Sequence, residues 1–118
     1  MKPDAYEYLK LAEDDLNIAK KNYEIKLYRS SCFWAQQSVE LFFKAFLIEK
    51  DMFDPRIHKT HNLKFLLLEC IKIDKDFKKL ENLNLDKLSN YSILTRYDIS
   101  TIKNITEEDA KEAIEIAE

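Results

Sequence analysis

The stretch Ser31-Cys32-Phe33-Trp34-Ala35-Gln36-Gln37-Ser38-Val39-Glu40-Leu41-Phe42-Phe43-Lys44-Ala45-Phe46-Leu47-Ile48-Glu49 decides the fold. Cys32, Ala35, Val39, Phe42 and Phe46 recur at helical spacing, and Phe43 and Leu47 widen the stripe. This spacing predicts a helix from about Tyr28 to Lys50 that faces neighbours on more than one side. Set into its apolar surface are Gln36, Gln37, Glu40 and Lys44. Two readings of them stand. In one, Glu40 and Lys44 form an exposed i,i+4 pair worth a few tenths of a kcal/mol, and Gln37 bonds a neighbouring backbone group. In the other, the four line a cleft or a dimer seam, because polar groups kept among so many aromatics need partners. Phe33, Trp34, Phe42, Phe43 and Phe46 are mostly core, with one or two as interface anchors.

Outward from this segment the pattern stays helical. Ala5, Leu9, Ala12, Leu16, Ala19 and Tyr23 form one stripe, so a first helix is expected from about Pro3 to Tyr23, with Asp14, Asp15, Lys20 and Lys21 largely off it. After a loop over 51–60, Thr60 is expected to cap a helix carrying Leu63, Leu66, Leu67, Cys70 and Ile71. A fourth helix is expected from Phe77 to about Leu94, with Leu80, Leu83, Leu88 and Tyr91 inward and a break near Asn82–Asn84. Residues 95–105 read as a loop. Thr106 then caps a last helix, with Glu107, Glu108 and Asp109 at its positive dipole end and Ala110, Ala113, Ile114 and Ala117 inward.

Composition agrees. The chain has 118 residues and no glycine, where about 7% usage would give roughly eight. Gly-rich phosphate loops are thereby excluded, and turns that need positive φ must rely on Asn or Asp. With only two prolines as well, the chain reads as all-α, with about five helices in a single domain spanning 1–118. A net charge of −3 argues against indiscriminate nucleic-acid binding through a basic surface, although it leaves room for a local basic patch. Cys32 and Cys70 read as buried, reduced thiols. No signal-peptide pattern and no run of about 18 apolar residues occurs, so a soluble, cytoplasmic protein without membrane contact is expected. No cofactor is implied. No metal site is expected: His58 and His61 lack carboxylates at helical spacing, and the cysteines form no Cys-x-x-Cys pair.

Several short motifs in order carry a family resemblance. They are Ala35-Gln36-Gln37 with Glu40, Lys44-Ala45 and Leu47; Thr60-His61-x-Leu63 followed by Leu66-Leu67; Tyr91 with Thr95-Arg96-Tyr97-Asp98; and Thr106-x-x-x-Ala110. Together with the Ala- and Leu-rich first helix they resemble the HEPN domain family (higher eukaryotes and prokaryotes nucleotide-binding). The chain lacks the proline that usually follows the family's Arg-Tyr. The resemblance implies an antiparallel helical bundle that often dimerises, and a prokaryotic protein paired with a small nucleotidyltransferase encoded as a separate chain. Nucleotide or RNA is the implied ligand, and a toxin–antitoxin-like or stress-response pair the implied setting.

Ribonuclease members carry Arg, four to six residues, then His near a late helix. Here Arg96 stands at the family's position, but no histidine follows it. The chain is therefore read as non-catalytic, with Arg96, Tyr97, Lys44 and Gln37 as ligand-binding residues. An arginine beside an aromatic suits a phosphate and a stacked base. Arg96 paired with Glu40 or another acid inside the bundle is the structural alternative. The literal spacing of Arg56 to His61 is the alternative catalytic element; it lies in the loop before the third helix, where a histidine more often bonds backbone or a neighbouring helix. A metal-independent ribonuclease toxin and a purely structural interaction module are the competing functions.

Overall fold

The computed structural model describes residues 1–91 and 105–118, and all of the regular structure among them is helical. In chain order it comprises α1 (Pro3–Glu24), α2 (Tyr28–Glu49), the one-turn α3 (Pro55–His58), α4 (Leu63–Ile73), a 3₁₀ helix (Lys75–Leu80), α5 (Leu85–Asn90) and α6 (Glu107–Ala117). The central helix α2 packs against α1, α4, α5 and α6.

The α1–α2 hairpin is organised by small residues at a seven-residue spacing. Ala5, Ala12 and Ala19 on α1, and Ser31, Ser38 and Ala45 on α2, are all buried. Ser31 Oγ donates to the Ala19 carbonyl at 2.9 Å and Ser38 Oγ to that of Ala12 at 2.7 Å. Numbers rise on one helix as they fall on the other, so the pair is antiparallel, and the same register sets Ala5 beside Ala45. Side chains this short let the two axes approach closely. The hydroxyls find acceptors on the facing helix, so their burial leaves nothing unpaired. The hairpin is pinned at one end by Asn22 Nδ2 donating to Ser30 Oγ (2.7 Å) and at the other by the Lys2 backbone N–H donating to Glu49 Oε1 (2.6 Å).

Both long helices end in the left-handed conformation without glycine. Lys26 has φ 63° and Asp51 φ 58°. The N–H groups of Leu27 and Met52 reach back to the carbonyls of Asn22 and Leu47, while those of Lys26 and Asp51 reach Tyr23 and Ile48. This is a Schellman closure. Asp51 is one of the residue types expected at such a turn. Lys26 is not, and it holds a conformation that costs a β-carbon-bearing residue about 1 kcal/mol.

The core joins Cys32, Val39, Phe43 and Leu47 of α2 to Leu63, Leu66, Leu67 and Cys70 of α4, closed by Leu85, Leu88 and Tyr91 and by Ala110 and Ala113 of α6. The last helix starts as expected, with a full capping box: Asp109 N–H donates to Thr106 Oγ1 (3.2 Å) and Thr106 N–H to Asp109 Oδ2 (3.1 Å). Elsewhere the sequence expectation needs correction. Asn62, not Thr60, caps α4, its side chain accepting from Phe65 N–H at 3.0 Å, while Thr60 Oγ1 accepts from Asn62 N–H. The fourth helix does break at 81–84, where the Asn82–Asn84 stretch was expected to interrupt it, but Leu83 at that break, expected inward, faces solvent. Of the five aromatics read as mostly core, Phe43 is buried, Phe42 is exposed, and Phe33, Trp34 and Phe46 are half-buried.

Cys32 and Cys70 are free and fully buried. Burial pushes each thiol up to about 12. Because the thiolate is the reactive form, neither is expected to react with a chromogenic disulfide reagent in the native protein, whereas both react after unfolding in guanidinium. Labelling of native protein at neutral pH would contradict this packing.

Candidate functional site

The polar residues of α2 converge on one carboxylate. Glu40 Oε1 accepts from Gln36 Nε2 at 3.0 Å and from His61 Nδ1 at 2.7 Å, and Glu40 Oε2 accepts from Lys44 Nζ at 2.9 Å. Gln37 Nε2 donates to Gln36 Oε1 at 2.8 Å, extending the chain by one amide. Gln36, Glu40 and Lys44 are buried, Gln37 is half-buried, and the His61 side chain is 56% exposed. The network is a sealed set of charges with two ends at the surface, Gln37 and His61. Three donors converge on Glu40 and the fourth, from Gln37, goes to Gln36, so the buried members of the cluster are satisfied inside an apolar helix packing, as buried polar groups require.

This geometry overturns the exposed-pair reading of α2. Glu40 and Lys44 are a buried pair, not an exposed one, and Gln37 bonds a side chain instead of a backbone group. His61 bonds a neighbouring helix. Since Nδ1 faces a carboxylate, it carries the proton, and in the neutral ring Nε2 is left as the acceptor. The ring is thus oriented from behind by a buried acid.

Arg56 does not join it. The Arg56 guanidinium is 89% exposed and pairs with Asp54, which also accepts from the Arg56 N–H as the cap of α3. Arg56 holds the Asp54 carboxyl below its usual range through side-chain and then backbone hydrogen bonds. Between Arg56 and His61, His58 is buried. Its Nδ1 accepts from Asp54 N–H at 2.8 Å, so the proton sits on Nε2 and is donated to Glu69 Oε1 at 2.8 Å. Glu69 also takes Lys72 Nζ at 2.6 Å, and Lys72 and then His58 hold its carboxyl below the ordinary value. His58 is a structural histidine, with both ring nitrogens engaged inside the protein.

Arg96 and Tyr97, the other two residues read as ligand-binding, lie outside the described residues, and with them the Arg96 pairing. On either side of that segment, Lys87 ties α5 to α6 through Asp109 (2.8 Å) and Glu112 (3.1 Å). Hydrogen bonding to Asp109 raises the Lys87 pKa and holds that of Asp109 down. Among the described residues no group of His, Cys, Asp and Glu is placed to hold a metal ion, and no helix is long and apolar enough to cross a membrane. An open apolar groove of about 640 Å³ between α1, α2, the 3₁₀ helix and the end of α6 contains none of the sequence-predicted site residues.

Sequence reading missed two buried titratable groups. His58 was legible in principle: Asp54-Pro55 opens a helical turn, and a histidine four residues after the cap can bond back to it. Asp15 was placed off the apolar stripe of α1, yet it is only 9% exposed and has no hydrogen bond or ion pair among the described residues. Burial, reinforced by neighbouring Asp14, pushes its carboxyl up to about 6.

Taken together, the described residues define an all-α bundle wrapped round one central helix that carries an internal ion-pair network. Residues 5–118 match the model of the HEPN domain, and the chain belongs to the HEPN domain family. Membership makes it a helical module of a nucleotide- and RNA-related family. No curated protein and no solved structure gives a significant match.

Proposed function

We propose that residues 1–118 form a single, non-catalytic nucleotide- or RNA-binding module. It works in the prokaryotic cytoplasm as a homodimer, with a nucleotidyltransferase partner chain, in a toxin–antitoxin-like or stress-response pair. The observation that carries the binding reading is the Glu40 network. Its charges are balanced internally, so Lys44 acts by holding Glu40, while Gln37 and His61 present hydrogen-bonding groups at the surface. Arg96 supplies the phosphate contact and Tyr97 the stacking face. The non-catalytic reading rests on the missing histidine after Arg96 and on the separate partners of Arg56 and His61. The ribonuclease alternative has one observation in its favour, the partly exposed His61 ring backed by a buried acid, an arrangement suited to proton transfer.

The test is to incubate purified protein with RNA in EDTA and to measure binding of a labelled single-stranded RNA and of nucleotides in parallel. RNA is expected to stay intact with the parent protein, while Arg96→Ala raises the Kd about tenfold, the effect of losing one charged phosphate contact. Cleavage that disappears in Arg96→Ala or His61→Ala would overturn this reading and establish a ribonuclease. Absence of any binding would leave the interaction-module function.

A further inference from the structure

α1 carries a second face that the bundle does not use. Leu11, Ile18 and Ile25 recur every seven residues, and they are 46%, 39% and 65% exposed. The register that joins Asn22 to Ser30 sets the half-buried Trp34 and Leu41 of α2 along the flank of this stripe. On that same flank lie Asn22 and Asp15, the latter with no hydrogen bond or ion pair among the described residues. The opposite flank carries Lys10, Asp14, Asn17, Lys21 and Glu24, all exposed and none with an ion-pair partner among the described residues.

Read backwards, this second flank is complementary to itself. An antiparallel copy of α1 centred near Asn17 on this flank brings Lys10 opposite Glu24 and Asp14 opposite Lys21, each twice, with Asn17 meeting its own counterpart. The apolar stripe is symmetric about the next residue along: Ile18 meets Ile18, and Leu11 meets Ile25. An isologous contact demands self-complementarity of this kind. On the other flank the arrangement brings Asp15 level with Asn22 of the copy, whose amide has a second N–H beyond the one given to Ser30.

We propose that the occupant of this face is a second copy of the chain, packed α1 against antiparallel α1 about a two-fold axis at Ile18. This deepens the homodimer reading above and rests on it. The contact covers the exposed aliphatic stripe and pairs four charges on each side. It also supplies a donor to the Asp15 carboxyl, which has none among the described residues and whose oxygens still touch solvent. The upward pKa displacement of Asp15 is consistent with a group still short of its partner.

The experiment uses the full chain with single cysteines, since native Cys32 and Cys70 are buried. Ile18→Cys is expected to form a disulfide-linked dimer in glutathione redox buffer. Leu11→Cys is on the same stripe but about 21 Å from its counterpart in this register, and it is expected to stay monomeric on a non-reducing gel. By light scattering, Asp14→Lys and Lys21→Asp are each expected to weaken the native dimer about tenfold, and the double variant to restore it. Both positions are exposed, and circular dichroism checks that each variant folds. A native dimer that Ile18→Cys does not cross-link, or charge swaps that fail to compensate, would overturn this face while leaving a homodimer in place. A native chain that stays monomeric at about 100 µM would overturn the homodimer as well. RNA binding is scored separately and does not depend on either outcome.

Discussion

Replacing Glu40 with alanine is expected to lower the unfolding free energy by about 3–5 kcal/mol, the cost of stripping one partner from a buried charge pair. The cause is what stays behind. Lys44, with a side chain 10% exposed, keeps an ammonium group whose acceptor has gone. Gln36, fully buried, loses the acceptor of its amide. Lys44→Met alone is expected to cost less, because Glu40 keeps Gln36 and His61 as donors. The double replacement of Glu40 and Lys44 by methionine is expected to recover the part of the loss due to the stranded ammonium, since an apolar pair of similar volume needs no internal partners, while the Gln36 amide still lacks its acceptor. Urea titrations of these proteins together with Glu40→Met, which closes the cycle with Lys44→Met and the double variant, read the losses. If Glu40→Ala costs under about 1 kcal/mol, the pair is behaving as a solvated surface bridge and the buried-network description fails.

Asp15→Asn is expected to move stability the other way, upward by about 1–2 kcal/mol at pH 7, less than a pKa displacement of roughly two units would give alone, because the carboxyl oxygens still touch solvent. The sign follows from the displacement. Below the ordinary carboxyl value of 3.8 the group is neutral in both folded and unfolded chains and has no effect. Between 3.8 and about 6 the folded chain holds the proton more tightly, so stability is lost as pH rises through that window. Above it the whole cost of a buried carboxylate is present. The gain from Asp15→Asn should therefore be full at pH 7 and nearly absent at pH 3.5, which thermal melts at the two pH values read directly. An equal gain at both would mean that asparagine helps through packing or helix propensity and that Asp15 is well solvated. At concentrations where the proposed dimer forms, the gain shrinks, because the copy then supplies a donor.

The two effects differ in how visible they were in the sequence. Gln36, Gln37, Glu40 and Lys44 stood out because they interrupt an apolar helix, and a polar group in that position must be paired. What could not be read was the pairing itself. His61 is 21 residues from Glu40, and only the path of the chain through α3 and the Asn62 cap delivers its ring to that carboxylate. Asp15 was missed for the opposite reason. Ala5, Ala12 and Ala19 were counted as one stripe with Leu9 and Leu16, which drew the apolar face toward the groove side and left Asp15 on the solvent side. Once the alanines are recognised as a seam matched to Ser31, Ser38 and Ala45, Asp15 falls on the seam's other edge, beside α2.

Local rules set the helix identities and several of their ends. Periodicity placed α2 to within one residue of Tyr28–Glu49, and Thr106 with Asp109 started α6, because these depend on side chains within four residues of each other. The absence of glycine carried the all-α class for the same local reason. Tertiary packing decided the rest. It forces Lys26 into a left-handed turn so that α2 can fold back on α1, and it turns Leu83 outward where the expected fourth helix breaks. It also leaves Leu11, Ile18 and Ile25 uncovered although they are as apolar as the core. Burial is a property of which faces meet, and that depends on contacts between residues far apart in the chain, which no local pattern of spacing contains.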